Sequence, residues 1–544
     1  MAILQRSRFS LVEVALSLAI ICVLGISKSF GATLWVDQSF QDTESKGTRG
    51  EIFRTIQAGA DRAKPGDTVI VKSGVYRESI RLKHGGNAGQ PIRFHAQGAV
   101  IVDGADIIAP QKFREVTSEE ERRSGVRVWR WDGYQARFRL SPGGTAENDA
   151  TRDGWASLGP AGVEQIERYA RADMLWIDSR LASEVRQRGA LKPSQFWVEV
   201  DGAAKGLYLA LAEDDLPENH VIEVSVREVL LSGQVSHIIV EGFHFTRASN
   251  WWDSGAITLP DNANDWTITG NRIDWNSWSG LHLHGTGHRI IGNDFCDNGA
   301  QGLSGANVSN VLFERNQTSR NNWKKFRWEF QGGGMKLCWA KGIRVIDHVA
   351  GENLGPGIWF DIDCENISVE RSRVHHNTYA GIFFELATGG AVVRDNYCYA
   401  NDGAGIFVAE SRDVKVEHNL LFSNKRGLEL RNIVRDVSTQ DVQIHDNFFV
   451  DNGIGVFAPD DLVALRTNRN LDSSRNLFWG NLAWGTYSAR PWWDFSKYIS
   501  QPTTGLRSFD LEATTKELGF EKDSVIRNPH FDPVLKATYE LVWP

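Results

Sequence analysis

Asp361 and Glu385 each close the same short phrase: Gly357-Ile-Trp-Phe-Asp361 and, 24 residues on, Gly381-Ile-Phe-Phe-Glu385. A glycine, three large apolar residues and an acid thus occur twice at the interval of one structural repeat. Two carboxylates held side by side repel, and a surface with only a structural role avoids the pair or sets a cation between them. Across a scissile glycosidic bond the same pair is an instrument, one acid attacking and the other supplying the proton. The spacing therefore points either to two acids on a solvated surface or to hydrolysis of a sugar linkage.

The elements that must position them follow from the repeat. Glycine-led strands recur at Gly280, Gly302, Gly334, Gly357, Gly381, Gly405 and Gly427, with intervals of 22, 32, 23, 24, 24 and 22. The one long interval holds the insertion Arg320 to Gly333. A second register, Asn276, Asn298, Asn321, Asn353, Asn377, Asn401 and Asn424, keeps the same step. A period near 23 with short strands and one asparagine per turn predicts a parallel β-solenoid, each asparagine bonding the backbone of the next coil. The fold class read from the sequence is all-β, a right-handed parallel β-helix with an N-terminal capping helix and an inserted β-rich subdomain.

Within each strand the first and third residues after the glycine are apolar, as in Ile358 and Phe360 or Ile382 and Phe384, so they face the core. The second and fourth then face outward. The fourth column reads His284, Ala306, Cys338, Asp361, Glu385, Ala409 and Arg431; the second reads His282, Ser304, Lys336, Trp359, Phe383, Phe407 and Glu429. Coils stack about 4.8 Å apart, which sets Asp361 directly against Glu385. A separation of about 5–5.5 Å belongs to the retaining mechanism. Lys336, one coil below, favours the charged form of Asp361, whereas Ala409, Phe383 and Asp361 around Glu385 favour its protonated form. Asp361 is the candidate nucleophile, Glu385 the candidate acid/base and Lys336 the candidate partner. Trp359 and Phe383 are expected as exposed stacking platforms for a sugar ring.

These residues resemble a family. The pairing "GPGIWFD…GIFFE" is similar to the β-helix glycoside hydrolases, above all the family 120 β-xylosidases and more loosely family 141, which contains fucosidases and xylanases. Family 120 enzymes carry an aspartate after a Trp-apolar pair and a glutamate on the next coil as nucleophile and acid/base. The resemblance thus implies the same roles for Asp361 and Glu385. "WEFQGGGMK" resembles a Glu-Gly-Gly-Lys stretch of bacterial β-helix proteins that share "GPGIWFDID", which adds Glu329 and Lys336 to the site. The likeness spans about residues 33–432, is specific in the two acid-bearing coils, and carries no substrate with it.

Other residues are weighed by position. Asp363 falls in the turn after Asp361, placed to orient substrate. His282 and His284 lie in the outward columns below the acids. Trp328 and the basic residues Arg320, Lys324, Lys325 and Arg327 crowd the insertion beside the site, and Arg431 stands two coils above Glu385. These cations read either as a solvated face or as contacts to a uronate or sulfate. His375-His376 lacks a second cluster at ligand spacing, so no metal is expected, nor any cofactor.

Composition bounds the rest. A net charge of -8 without a basic run argues against nucleic acid as a partner. The 52 glycines suit a chain that turns often, and the 20 tryptophans suit sugar stacking or core packing alike. "MAILQRSR" followed by "ALSLAIICVLGIS" reads as a secretory signal over residues 1–32. "FSLVE" resembles a prepilin-type leader, but Arg8 stands where that pattern has a small residue; a retained anchor is the alternative. The expected protein is secreted or periplasmic, with no lasting membrane span once the leader is removed. Cys296, Cys338, Cys364 and Cys398 show no pairing pattern and read as buried thiols. Residues 33–106 read as cap and first coils, 107–226 as an inserted β-rich subdomain, 227–460 as the β-helix with its active-site coils, and 461–544 as a closing segment.

The reading is an exported glycoside hydrolase acting on a plant or algal poly- or oligosaccharide, neutral or anionic. One rival is a polysaccharide lyase or epimerase, which needs a Lys, Arg, His or Tyr base beside a neutralised uronate. A second is a non-catalytic carbohydrate-binding protein. The fold hosts all three.

Overall fold

The repeat closes into coils because each contains three short strands separated by corners. In the computed structural model one coil runs Ile358–Asp361, Glu365–Glu370 and Arg373–His375, and the next Ile382–Glu385, Gly389–Arg394 and Tyr397–Tyr399. Each strand pairs in parallel with its counterpart one coil on. The structure describes residues 31–40, 52–135, 172–185, 187–199, 206–326, 328–431, 438–458, 470–480, 482–487, 506–518 and 520–526. The expected leader lies outside them except for its last two residues, as does the tail from residue 527.

The face that carries the acids includes β1 (Gly255–Leu259), β2 (Ser279–Thr286), β3 (Gln301–Glu314), β4 (Gly333–Cys338), β5 (Ile358–Asp361), β6 (Ile382–Glu385), β7 (Ala404–Ala409) and β8 (Arg426–Arg431). Ile358, Phe360, Ile382, Phe384, Ile406 and Val408 are fully buried in the solenoid core, as the alternation predicts. Phe360 and Phe384 stack at 5.2 Å, one coil above the other. The leading glycines are demanded by close approach. A Cβ at Gly381 would lie 2.5 Å from the carbonyl oxygen of Gly405, a contact no side chain tolerates.

The asparagine register forms a buried ladder. Each Nδ2, from Asn276 to Asn424, donates to Oδ1 of the asparagine one coil on, and the run continues to Asn452. The side chains thereby satisfy backbone groups that a corner leaves unpaired. A second ladder, Asn396–Asn419–Asn447–Asn476, supports another corner.

Helix α1 (Ile56–Arg62) is capped by Thr55, whose hydroxyl accepts from the Ala58 N–H. Its buried Ile56 and Ala60 join the core of the first coils. Between Ala105 and Ser225 the chain leaves the stack to form a four-stranded sheet and a mainly antiparallel five-stranded sheet with its own core around Phe196, Leu207 and Leu209. Arg247 ties this region to the solenoid by pairing with both Asp103 and Glu223. Coil pairing outlasts the visible period: Leu482–Tyr487 still adds to Ile454–Phe457, beyond the expected end near residue 460. The glycine-led period fades there, while the apolar alternation that drives stacking and the second asparagine ladder, which reaches Asn476, do not.

Candidate active site

Parallel pairing places Cys338 against Asp361, Asp361 against Glu385 and Glu385 against Ala409, and Lys336 against Trp359. The outward columns therefore stand in the register read from the sequence. Asp361 and Glu385, each 8% exposed, lie on the floor of a cleft of about 440 Å³. The two walls come from opposite edges of the sheet. The edge where strands begin contributes Trp252 and Asp253, from the loop before β1, together with Glu329 and Gln331 of the short helix α2 (Trp328–Gln331). The edge where strands end contributes Trp339, Ile362 and Leu386. His282, His284 and Ser304 close the end nearer the N-terminal coils.

Lys336 is the hub of the floor. Its Nζ stands 2.9 Å from Asp361 Oδ2 and 3.5 Å from the centre of the Trp359 ring. Burial opposes its charge, but Asp361, and more weakly Glu385, outweigh that penalty and hold its pKa above the ordinary lysine value. Lys336 is thus a fixed cation. Cys338, whose Sγ is 4.0 Å from Asp361 Oδ2, is pushed up to about 12 by burial and stays a neutral thiol. His282 is driven down to about 3 by burial and by its neighbour His284, so it is neutral. Its ring bonds Ser304 Oγ at 2.8 Å and meets His284 Nε2 at 3.1 Å. Asp261 approaches His284 Nδ1 at 3.0 Å, outside hydrogen-bond geometry.

Several expectations need correction. Trp359 and Phe383 do face away from the solenoid core, but each is only 1% exposed and neither lines the cleft. They pack with Phe407, Ala380, Ala404 and Tyr379 into a second, external apolar cluster. Loops fold back over the sheet and bury what the alternation alone leaves outside. Trp328 stacks on Tyr379 at 3.6 Å, closing that cluster rather than lining the cleft. Arg431 is buried above the Phe407 ring at 4.7 Å and lies off the cleft wall. Asp363 sits in the corner after Asp361 with φ 51° and is likewise absent from the lining. Among the insertion's cations, Arg320 is engaged by Asp297 at 2.9 and 2.8 Å and Lys324 donates to Ser277 Oγ at 2.6 Å. Arg327 lies outside the described residues.

Glu329 and His284 do line the cleft. The loop Ala248 to Gly255 reads in the sequence as one that shapes subsites; what sequence reasoning missed is the wall at the edge where strands end. Trp339, 43% exposed, and Ile362 and Leu386 each hold the corner position after an outward residue, with φ of 49°, 48° and 56°. A strict period of two turns them inward; the left-handed corner swings them onto the rim instead. Bulky residues at positive φ are uncommon, and only the solenoid's repeated corner explains three in a row. Trp252 and Asp253 sit in a loop whose path no repeat dictates.

The family model "Right handed beta helix region" matches residues 255–391 and 386–488. Uncharacterized protein YwoF of Bacillus subtilis (strain 168) is 32% identical over 79 residues, which is 14% of this chain and 17% of that protein's length. Among solved structures, the complex of XylC with xylose superposes with a TM-score of 0.66 at 16% identity, covering 92% of this chain and 86% of that one. The A-module of Azotobacter vinelandii mannuronan C-5 epimerase AlgE6 gives 0.48 at 12% identity, covering 87% and 94%. The chain folds as a right-handed parallel β-helix.

Proposed function

We propose that the chain is a glycoside hydrolase that cleaves a neutral glycan by a retaining mechanism. Asp361 attacks the anomeric carbon as Glu385 protonates the departing glycosidic oxygen. Glu385, now a carboxylate, then takes a proton from water as that water displaces Asp361 from the sugar. The observation that carries this reading is the in-register pairing of Asp361 and Glu385 on adjacent strands beneath a cleft. Strand neighbours lie about 4.8 Å apart, near the about 5–5.5 Å carboxyl separation of retaining enzymes. Lys336, whose Nζ stands 2.9 Å from Asp361 Oδ2, fixes the position of that carboxylate on the cleft floor.

The lyase or epimerase reading needs a neutral base and a cation to receive a uronate. Lys336 is held as a cation by its own carboxylate partner. Asp253, Glu329, Asp361 and Glu385 give the lining more acid than base, which repels an anionic sugar. The test is product analysis on neutral oligosaccharides, starting with xylose-containing ones because XylC, of the same fold, was solved with xylose. Reducing sugar released with addition of water, and lost in Glu385→Gln, supports the reading. Products with a C4–C5 double bond overturn it.

A further inference from the structure

The acids occupy one end of the cleft; the other end is built as well. Trp252 and Asp253 precede β1, three strands short of β4, which bears Lys336. Their loop nevertheless rises into the same cleft, close enough for Asp253 to feel the charges of His284 and Lys336.

The loop is fastened to do so. Asn250 Nδ2 donates to the carbonyls of Ser254 and Ser279 at 3.0 and 2.7 Å, and Ser254 Oγ donates to the Trp251 carbonyl at 2.6 Å. The Trp252 ring lies within 11° of parallel to Trp278 at 6.3 Å, and Trp278 packs on Phe326 at 4.8 Å. Trp278, Ala300 and Phe326 form the buried cluster against which this one partly exposed indole packs. The Trp252 side chain also hydrogen-bonds the Asp253 carboxylate, which fixes both groups relative to each other. Partial desolvation at the cleft edge raises the Asp253 pKa.

A rigid aromatic face beside a fixed carboxylate is the pattern that binds a pyranose: the ring's C–H face stacks and its hydroxyls donate to the acid. We infer that Trp252 and Asp253 form a subsite for a second, neutral sugar ring, so that the substrate is a glycan of at least two units and this loop reads its second unit. The inference rests on the hydrolase reading for the position of the first ring, over Asp361 and Glu385. A charged second ring is disfavoured because Asp253 and Glu329 both face it.

The experiment is calorimetric titration of the full chain carrying Glu385→Gln with xylose, xylobiose, cellobiose and mannobiose. One disaccharide is expected to bind about tenfold or more tighter than its monosaccharide, a gain of about 1.4 kcal/mol. Adding Trp252→Ala is expected to bring that ratio near one, and Trp252→Phe, which keeps a ring on Trp278, to retain most of it. Asp253→Asn, which preserves the loop's shape, is expected to lower the ratio several-fold, and serves if Trp252→Ala fails to fold. No gain from the second ring, no binding of any of these sugars, or equal weakening of mono- and disaccharide in the variants overturns the subsite. If the unmutated chain meanwhile releases reducing sugar that Glu385→Gln does not, only the subsite falls. If it releases none, the hydrolase reading falls with it.

Discussion

The ammonium of Lys336 stands 2.9 Å from the carboxylate of Asp361, with both side chains buried on the cleft floor. This cation, one strand below, offsets the charge of a carboxylate that the stacking of coils sets against Glu385 on the strand above. Breaking a buried pair by removing one partner costs about 3–5 kcal/mol, because the other charge is left alone. Lys336→Met is therefore expected to lower stability by that order and kcat/KM by at least about 100-fold, ΔΔG being about 2.7 kcal/mol for two decades. Denaturant unfolding and steady-state kinetics check both. Because the Lys336 pKa lies above the ordinary value, its charge persists through neutral pH and is lost only as pH rises past that raised pKa. No limb of the pH–rate profile between 5 and about 10 is expected to disappear with this variant.

The stereochemical outcome follows from neighbouring strands. If Asp361 bonds the sugar, the first product keeps the anomeric configuration of the substrate, as NMR during the first minutes of reaction would show. An inverted first product requires a water between carboxyls about 6.5–9.5 Å apart, which the pairing of β5 with β6 does not provide.

Phe383 is expected to matter for stability. It is sandwiched between Trp359 at 5.3 Å and Phe407 at 4.6 Å, off the cleft. Phe383→Ala should cost about 3–5 kcal/mol of unfolding free energy. A variant with native stability and a large rise in KM would restore the exposed-platform role that the fold denies it.

The ladder predicts a large effect from one amide. Asn377 Nδ2 donates to the Ala350 carbonyl and to Asn401 Oδ1, and its own Oδ1 accepts from the Asn353 backbone and side chain. Asn377→Ala strands several buried groups, each worth about 1–3 kcal/mol when left unsatisfied. Thermal unfolding should show a drop well beyond that of a surface asparagine such as Asn219.

Two buried histidines set the acid limb of stability. Burial drives His282 and His348 down to about 3. In the unfolded chain they take up protons near pH 6.5, so the unfolded state binds more protons below that value. Their contribution is complete above about pH 6.5 and is lost as pH falls toward about 3, at about 1.4 kcal/mol per pH unit for each. Unfolding temperature measured from pH 7 to 4 should fall, and less steeply in His348→Gln. A flat profile in that window contradicts the burial.

What the sequence determined by itself is whatever the coil repeats. Glycine at each strand start, asparagine at each corner and apolar residues at alternate positions recur because each coil must satisfy the same contacts, so the period, the register and the juxtaposition of Asp361, Glu385 and Lys336 were all legible. What only the tertiary structure decided is what lies above the repeat. Whether Trp359 and Phe383 meet a sugar or a protein wall depends on α2 and Tyr379 folding over them, and one strand's alternation carries no record of that. Trp339 reached the rim because a left-handed corner breaks the period of two. Trp252 and Asp253 came into the cleft from a loop three strands away, along a path that side-chain packing against Trp278 and Phe326 sets and no spacing encodes.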